Sequence, residues 1–166
     1  MAAAKQPLPF LLLFLVLAAT DWLDGKLAAW FDQRSTLGSR LDSLADAAMY
    51  GALLVGAGWL KADRVGGEYG WIAAALLVYV LSCTLALAKF GRLPSYHTRT
   101  AKFAWLLTVT AAVVLLLDGP VWPLRVAMLA VLIANLDAIL VTVLLRRCET
   151  DVASFPQALR NRQREA

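Results

Sequence analysis

Charge is scarce in this sequence. Asp, Glu, Lys and Arg make up 17% of its 166 residues, while 60% are hydrophobic. A soluble domain of this length does not need so much apolar surface, so an ordinary water-soluble globule is excluded. Cysteine is nearly absent. Cys83 and Cys148 are poorly placed to pair, and no metal-ligand spacing surrounds them. Linkers, internal repeats and low-complexity tracts are missing as well. The chain therefore reads as a single integral-membrane domain over residues 1–166, with a polar cytoplasmic tail at residues 146–166.

What the sequence has instead is apolar length. A bilayer core of about 30 Å takes roughly 20 helical residues at about 1.5 Å each. Five stretches approach that: Leu8–Trp30, Gly38–Leu60, Tyr69–Phe90, Lys102–Leu117 and Val121–Leu145. The fourth is short and is expected to borrow residues from Thr98 onward. Helices are expected throughout, because a lone strand in lipid leaves its backbone unpaired. The connections "KADRVGGEYG", "GRLPSYHT" and "DGP" are short, and the last carries a Gly-Pro turn signal. The expected fold is all-α: a polytopic transmembrane bundle of about five antiparallel helices. The six Trp and four Tyr fall near span ends, as an aromatic belt does.

Lys and Arg are distributed unevenly in this layout. Twelve fall on one side, among them Lys26, Arg34, Arg40, Lys89, Arg92, Arg99 and Lys102. Four fall on the other: Lys5, Lys61, Arg64 and Arg125. The richer side is expected in the cytoplasm. The net charge of +4 is then a basic face beside anionic lipid headgroups, and no nucleic-acid partner is expected. An alternative for the start is a secretory signal peptide, with Lys5, the apolar run Leu8–Leu17 and cleavage near Ala19. The charge bias argues against it.

The costly charges gather at one junction, in "TDWLDGKLAAWFDQRSTLGSRLDSLAD". Asp21 and Asp24 are spaced i, i+3, and Asp42 and Asp46 i, i+4, so on a helix each pair shares one face. The turn between the helices is short. Four carboxylates can then converge at the mouth of a helical hairpin, where they repel one another unless a cation is bound. Carboxylate oxygens suit Mg²⁺ or Mn²⁺, and two ions need about this many acids. Asp32 sits in the turn and is read as solvated. Gly25, Ala28 and Gly38 stand a turn from these acids and let a flat or phosphorylated ligand approach the backbone. Each of them alone fits close helix packing equally well. Four spaced acids at a membrane junction are different, because intramembrane acids are functional by default.

The same residues resemble the signature of the CDP-alcohol phosphatidyltransferases, D-x-x-D-G-x-x-A-R, eight residues, then G-x-x-x-D-x-x-x-D. Asp21, Asp24, Gly25, Ala28, Gly38, Asp42 and Asp46 all fall in register. Ala29 stands where the pattern has Arg. Family members usually have six spans, the extra one preceding the first aspartates. This chain starts too late for that helix, and the expectation is a truncated start or a reduced paralogue.

The resemblance implies an enzyme of phospholipid synthesis that moves a phosphatidyl-type group from a CDP-linked lipid to a small alcohol and releases CMP. It implies that Asp21, Asp24 and Asp42 hold metal, that Asp46 lines the same site and acts as general base, and that Gly25, Ala28 and Gly38 adjoin the nucleotide. It further implies a homodimer in a bacterial inner membrane, with the site facing the cytoplasm. A phosphorylated acceptor needs cations, and Arg92, Arg99 and Lys102 are candidates; they fit equally as headgroup anchors. His97 reads as an interfacial polar residue. Asp137 and Asn135, inside the last span, are expected to hydrogen-bond neighbouring helices. Two other readings stay open: a non-catalytic protein of the family fold that binds nucleotide-lipid or partners, and a divalent-cation carrier. The carrier lacks a chain of acids across the bilayer, since Asp137 is the one acid in another span.

Overall fold

The computed structural model describes residues 6–30, 36–91 and 98–145. Asp32, Arg34, Arg92, His97, Cys148 and the polar tail lie outside the described residues, as do the side chains of Gly25, Ala28, Ala29, Arg40 and Asp42. Five long helices account for most of what is described. They are α1 (Pro7–Trp30), α2 (Thr36–Leu60), α4 (Tyr69–Phe90), α5 (Arg99–Leu116) and α6 (Trp122–Leu144). A short helix α3 (Ala62–Val65) and a 3₁₀ turn (Gly66–Glu68) lie between α2 and α4. There is no strand among the described residues.

The run Ala62–Phe90 and helices α5 and α6 are each long and apolar enough to cross a membrane. Helices α1 and α2 carry shorter apolar stretches, Pro7–Asp21 and Leu44–Leu60, each with an aspartate toward the end nearer the α1–α2 connection. The outward faces agree with lipid as solvent. On α6, Leu129, Ile133, Leu136, Leu140 and Val143 form an exposed stripe at helical spacing, while Ala127, Ala134 and Val141 are buried on the other side. The buried positions of α4 are Ala75, Ser82 and Ala86. Small residues at contacts let membrane helices approach closely. The fold is a helical membrane bundle.

The described helices fall into two compact units. One holds α1, α2, α3 and the part of α5 from Val109; the other holds α4, the first part of α5 and α6 from Arg125. In the first unit, Leu11, Phe14 and Ala18 of α1 and Met49 and Leu53 of α2 are buried. The ring of Phe10 lies so close to Gly56 that a Cβ there would overlap it. In the second unit, Phe90 and Ala138 pack against buried Val141 and Leu145.

The helix ends are closed by specific contacts. Gly91, at φ 66°, ends α4 in the left-handed conformation and donates its N–H to Leu87 O at 2.8 Å. Helix α5 ends in a Schellman turn. Gly119 N–H donates to Val114 O at 2.7 Å and Asp118 N–H to Leu115 O at 3.2 Å. Asp118 takes the left-handed position, φ 62°, where glycine is usual. Gly119 is required next to it, because a Cβ there would stand 2.8 Å from Val114 O.

The connection "KADRVGGEYG" is helical over most of its length. Its charges find partners in the turn after α5 and the first turn of α6. Lys61 Nζ lies 2.6 Å and Arg64 Nη1 3.2 Å from Asp118 Oδ1. Glu68, 4% exposed, accepts two 2.8 Å hydrogen bonds from the Arg125 guanidinium.

Candidate active site at the aspartate hairpin

Helices α1 and α2 form an antiparallel hairpin, and the Phe10–Gly56 contact fixes its register. Both helices rise about 1.5 Å per residue. Eleven residues on from Phe10 is Asp21, and ten back from Gly56 is Asp46. The two stand about level. By the same count Asp24 is level with position 42. The four positions therefore fall at two levels, one turn apart along the hairpin, with 21 and 46 nearer its apolar body. Spacing along each helix does not reveal this pairing, which depends on a tertiary contact.

Burial follows the same order. Asp21 and Asp46 are half-buried, and Asp24 and Gly38 are exposed. Thr20, beside Asp21, turns its hydroxyl back to Val16 O at 2.7 Å and satisfies it within its own helix. Among the described residues no group of three or more acids, His or Cys stands close enough to hold a metal ion. The side chain of Asp42 is not among them, so one member of the set is outside that statement. The donor chemistry of the four positions fits a hard divalent cation, since all are carboxylates and two come from each helix.

Of the candidate acceptor cations, Arg99 and Lys102 are exposed in the first turn of α5, and Arg92 lies outside the described residues. Asp137 does bond to a neighbouring helix, accepting a 2.8 Å hydrogen bond from Thr100 of α5. Asn135 instead donates to Val131 O of its own helix at 2.8 Å. Cys83 is a free, half-buried thiol.

Sequence reasoning did not pick out Lys89 as more than a positive charge. Its ammonium donates to Thr142 O at 2.9 Å and Val143 O at 2.8 Å, capping the carbonyl end of α6. The available signal was a lysine in the last turn of a predicted helix. The ion pairs of Asp118 and Glu68 were also missed, although opposite charges flank the turns there. The Lys61 ammonium, with Arg64 beyond it, holds the Asp118 carboxyl below the usual carboxylate range.

The comparisons with known proteins bear on the same residues. The family model described as CDP-alcohol phosphatidyltransferase matches residues 1–145. The chain belongs to the CDP-alcohol phosphatidyltransferase family. Within this family it is similar to the CDP-diacylglycerol–serine O-phosphatidyltransferases of Mycobacterium tuberculosis and Mycobacterium bovis. It is 33% identical to each over 103 residues, covering 60% of this chain and 34% of the relative. The protein of the same name from Mycobacterium leprae is 34% identical over 103 residues, covering 60% of this chain and 32% of its own length. The matched part spans about one third of the length of these phosphatidyltransferases. No solved structure matches the chain.

Proposed function

We propose that this chain transfers a phosphatidyl group from a CDP-linked lipid, CDP-diacylglycerol, to a small alcohol, releasing CMP, in phospholipid synthesis. The observation that carries the reading is the aspartate hairpin: four acids at the family's spacing, on two helices whose register brings positions 21 and 46, and 24 and 42, to about the same level. The family match and the mycobacterial relatives support it. Serine is the first acceptor to test, because it is named in those relatives.

In this reading Asp21, Asp24 and Asp42 hold Mg²⁺ or Mn²⁺, with Asp46 at the edge of the same metal site; two such ions would neutralise charge at the pyrophosphate. The Asp46 carboxylate accepts the proton of the attacking hydroxyl. The alcohol oxygen bonds to the lipid-side phosphorus, and the bond from that phosphorus to the CMP oxygen breaks. Gly25, Ala28 and Gly38 leave room for the nucleotide beside the backbone. Arg92, Arg99 and Lys102 meet an anionic group on the acceptor. The half-buried position of Asp46 suits a base that must take a proton away from bulk water.

We place the site on the cytoplasmic face of a bacterial inner membrane, in one domain that pairs as a homodimer. The charge distribution supports that orientation. Of the four basic residues on the sparse side, Lys61, Arg64 and Arg125 are ion-paired with acids. Arg99 and Lys102, on the rich side, have no acidic partner among the described residues.

A second reading, a family-fold protein that binds nucleotide-lipid without turnover, is favoured by Ala29 in the Arg position of the pattern. Release of CMP from CDP-diacylglycerol by the purified chain, with Mg²⁺ and a panel of alcohols led by serine, separates the two. Release that depends on one alcohol supports transfer. CDP-lipid binding with no release under any alcohol supports the second reading.

A further inference from the structure

Helix α6 carries an acid that the proposed chemistry does not use. Asp137 is half-buried inside a membrane-crossing helix, where an ionisable group is costly unless it is partnered. Its Oδ2 accepts the Thr100 hydroxyl at 2.8 Å. Thr100 Oγ1 in turn lies 2.8 Å from Thr98 Oγ1. A threonine hydroxyl has one proton to donate. Thr100 gives its proton to the carboxylate, so Thr98 donates to Thr100, and both hydroxyls point toward Asp137. Such a chain ending on a carboxylate is stronger than an isolated hydroxyl pair.

The far end of the chain is the start of α5. Thr98 is 1% exposed. Its Oγ1 accepts the N–H of Ala101 at 3.2 Å, and its carbonyl accepts the N–H of Lys102 at 3.1 Å. The Ala101 amide is one that a helix start leaves without an intrahelical partner, and the Lys102 bond is the first of the helix ladder. Arg99 and Lys102 project from this same turn and are exposed. A helix start frays readily, and fraying here would scatter both cations. The Thr98–Thr100–Asp137 chain ties that turn to α6.

We propose that Asp137 is a positioning residue for acceptor binding. Acting through Thr100 and Thr98, it fixes the first turn of α5 and with it the place of Arg99 and Lys102. The proposal rests on the reading of those two cations as acceptor contacts.

The test uses the full chain in lipid nanodiscs, with Thr100→Val, Thr100→Ser, Asp137→Asn and Asp137→Leu. Four quantities are read: acceptor KM, CDP-lipid KM, melting temperature, and amide hydrogen exchange at Ala101 and Lys102. Loss of a hydrogen bond to a charged group corresponds to about tenfold or more. Thr100→Val is expected to raise acceptor KM and to speed exchange at both amides by about that factor, and to lower melting temperature because Asp137 loses its partner, while CDP-lipid KM stays unchanged. Thr100→Ser restores both. Asp137→Asn, which keeps an acceptor oxygen, falls between the unmutated chain and Asp137→Leu. The proposal is overturned if Thr100→Val leaves exchange and acceptor KM unchanged. It is overturned equally if both KM values rise together with a fall in melting temperature, since that is general loosening. If the unmutated chain releases no CMP with any alcohol, the acceptor role falls with that reading, and slower exchange than in Thr100→Val still shows that the chain of hydroxyls holds the turn.

Discussion

The ring of Phe10 fills the space beside Gly56 that a side chain there would occupy. This contact sets how far α1 has slid along α2 and brings Asp21 level with Asp46. Replacing Gly56 by Val overpacks the pair, which typically costs about 1–3 kcal/mol. The hairpin either loosens or slips, and the acids of the two helices no longer stand level. Thermal unfolding in detergent should show Gly56→Val less stable than the unmutated chain. Adding Phe10→Ala should recover part of that loss, because the two residues share one space. Equal stability of Gly56→Val and the unmutated chain would remove the contact as the source of register.

Asp118 links pH to stability at the turn after α5. Lys61 and Arg64 hold its carboxyl below the usual range. A group whose pKa is lowered in the folded state stabilises the fold above its unfolded pKa, about 3.9 for Asp, and loses that contribution as pH falls through the lower folded value. Melting temperature should therefore fall between about pH 5 and the folded value. The change should be small, since the Asp118 side chain is 67% exposed and such pairs are screened. Asp118→Asn should flatten that part of the profile. A profile of unchanged shape in Asp118→Asn would show that other carboxylates carry it.

Much of the fold was legible because the bilayer demands apolar length, and each expected span lies within or close to a helix. The start of α5 at Arg99, ahead of Lys102, follows the anticipated borrowing of residues from Thr98. The connection before α4 was not legible. The sequence marks it only as a short connection, and Lys61, Arg64 and Glu68 gain partners that are remote in sequence, 54 to 57 residues away. The hydrogen bonding of Asp137 was expected, but not its partner, because Thr100 reaches it only through the pairing of α5 with α6. At the hairpin, spacing along each helix was visible in the sequence. The pairing across the hairpin was not, because Gly56 gives no sign of the ring beside it.

Orientation has its own test. A cysteine introduced at Ser35 should react with an impermeant thiol reagent from the cytoplasmic side alone, and one at Gly66 from the opposite side alone. The two native thiols are removed first by Cys83→Ser and Cys148→Ser. Reversed labelling would put the aspartates on the side away from cytoplasmic CDP-lipid and reject the proposed function.

The central claim is that the aspartate hairpin performs the transfer, with Asp46 taking the proton. Its most direct measurement is CMP release from CDP-diacylglycerol with Mg²⁺, alongside CDP-lipid affinity, for the unmutated chain, Asp46→Asn and Asp24→Asn. Loss of a general base typically lowers rate by about 10²–10⁴-fold. Asp46→Asn is predicted to lose turnover by that factor while retaining most of its CDP-lipid affinity, and Asp24→Asn to lose affinity for metal and CDP-lipid together. Release by Asp46→Asn at the unmutated rate would contradict the account.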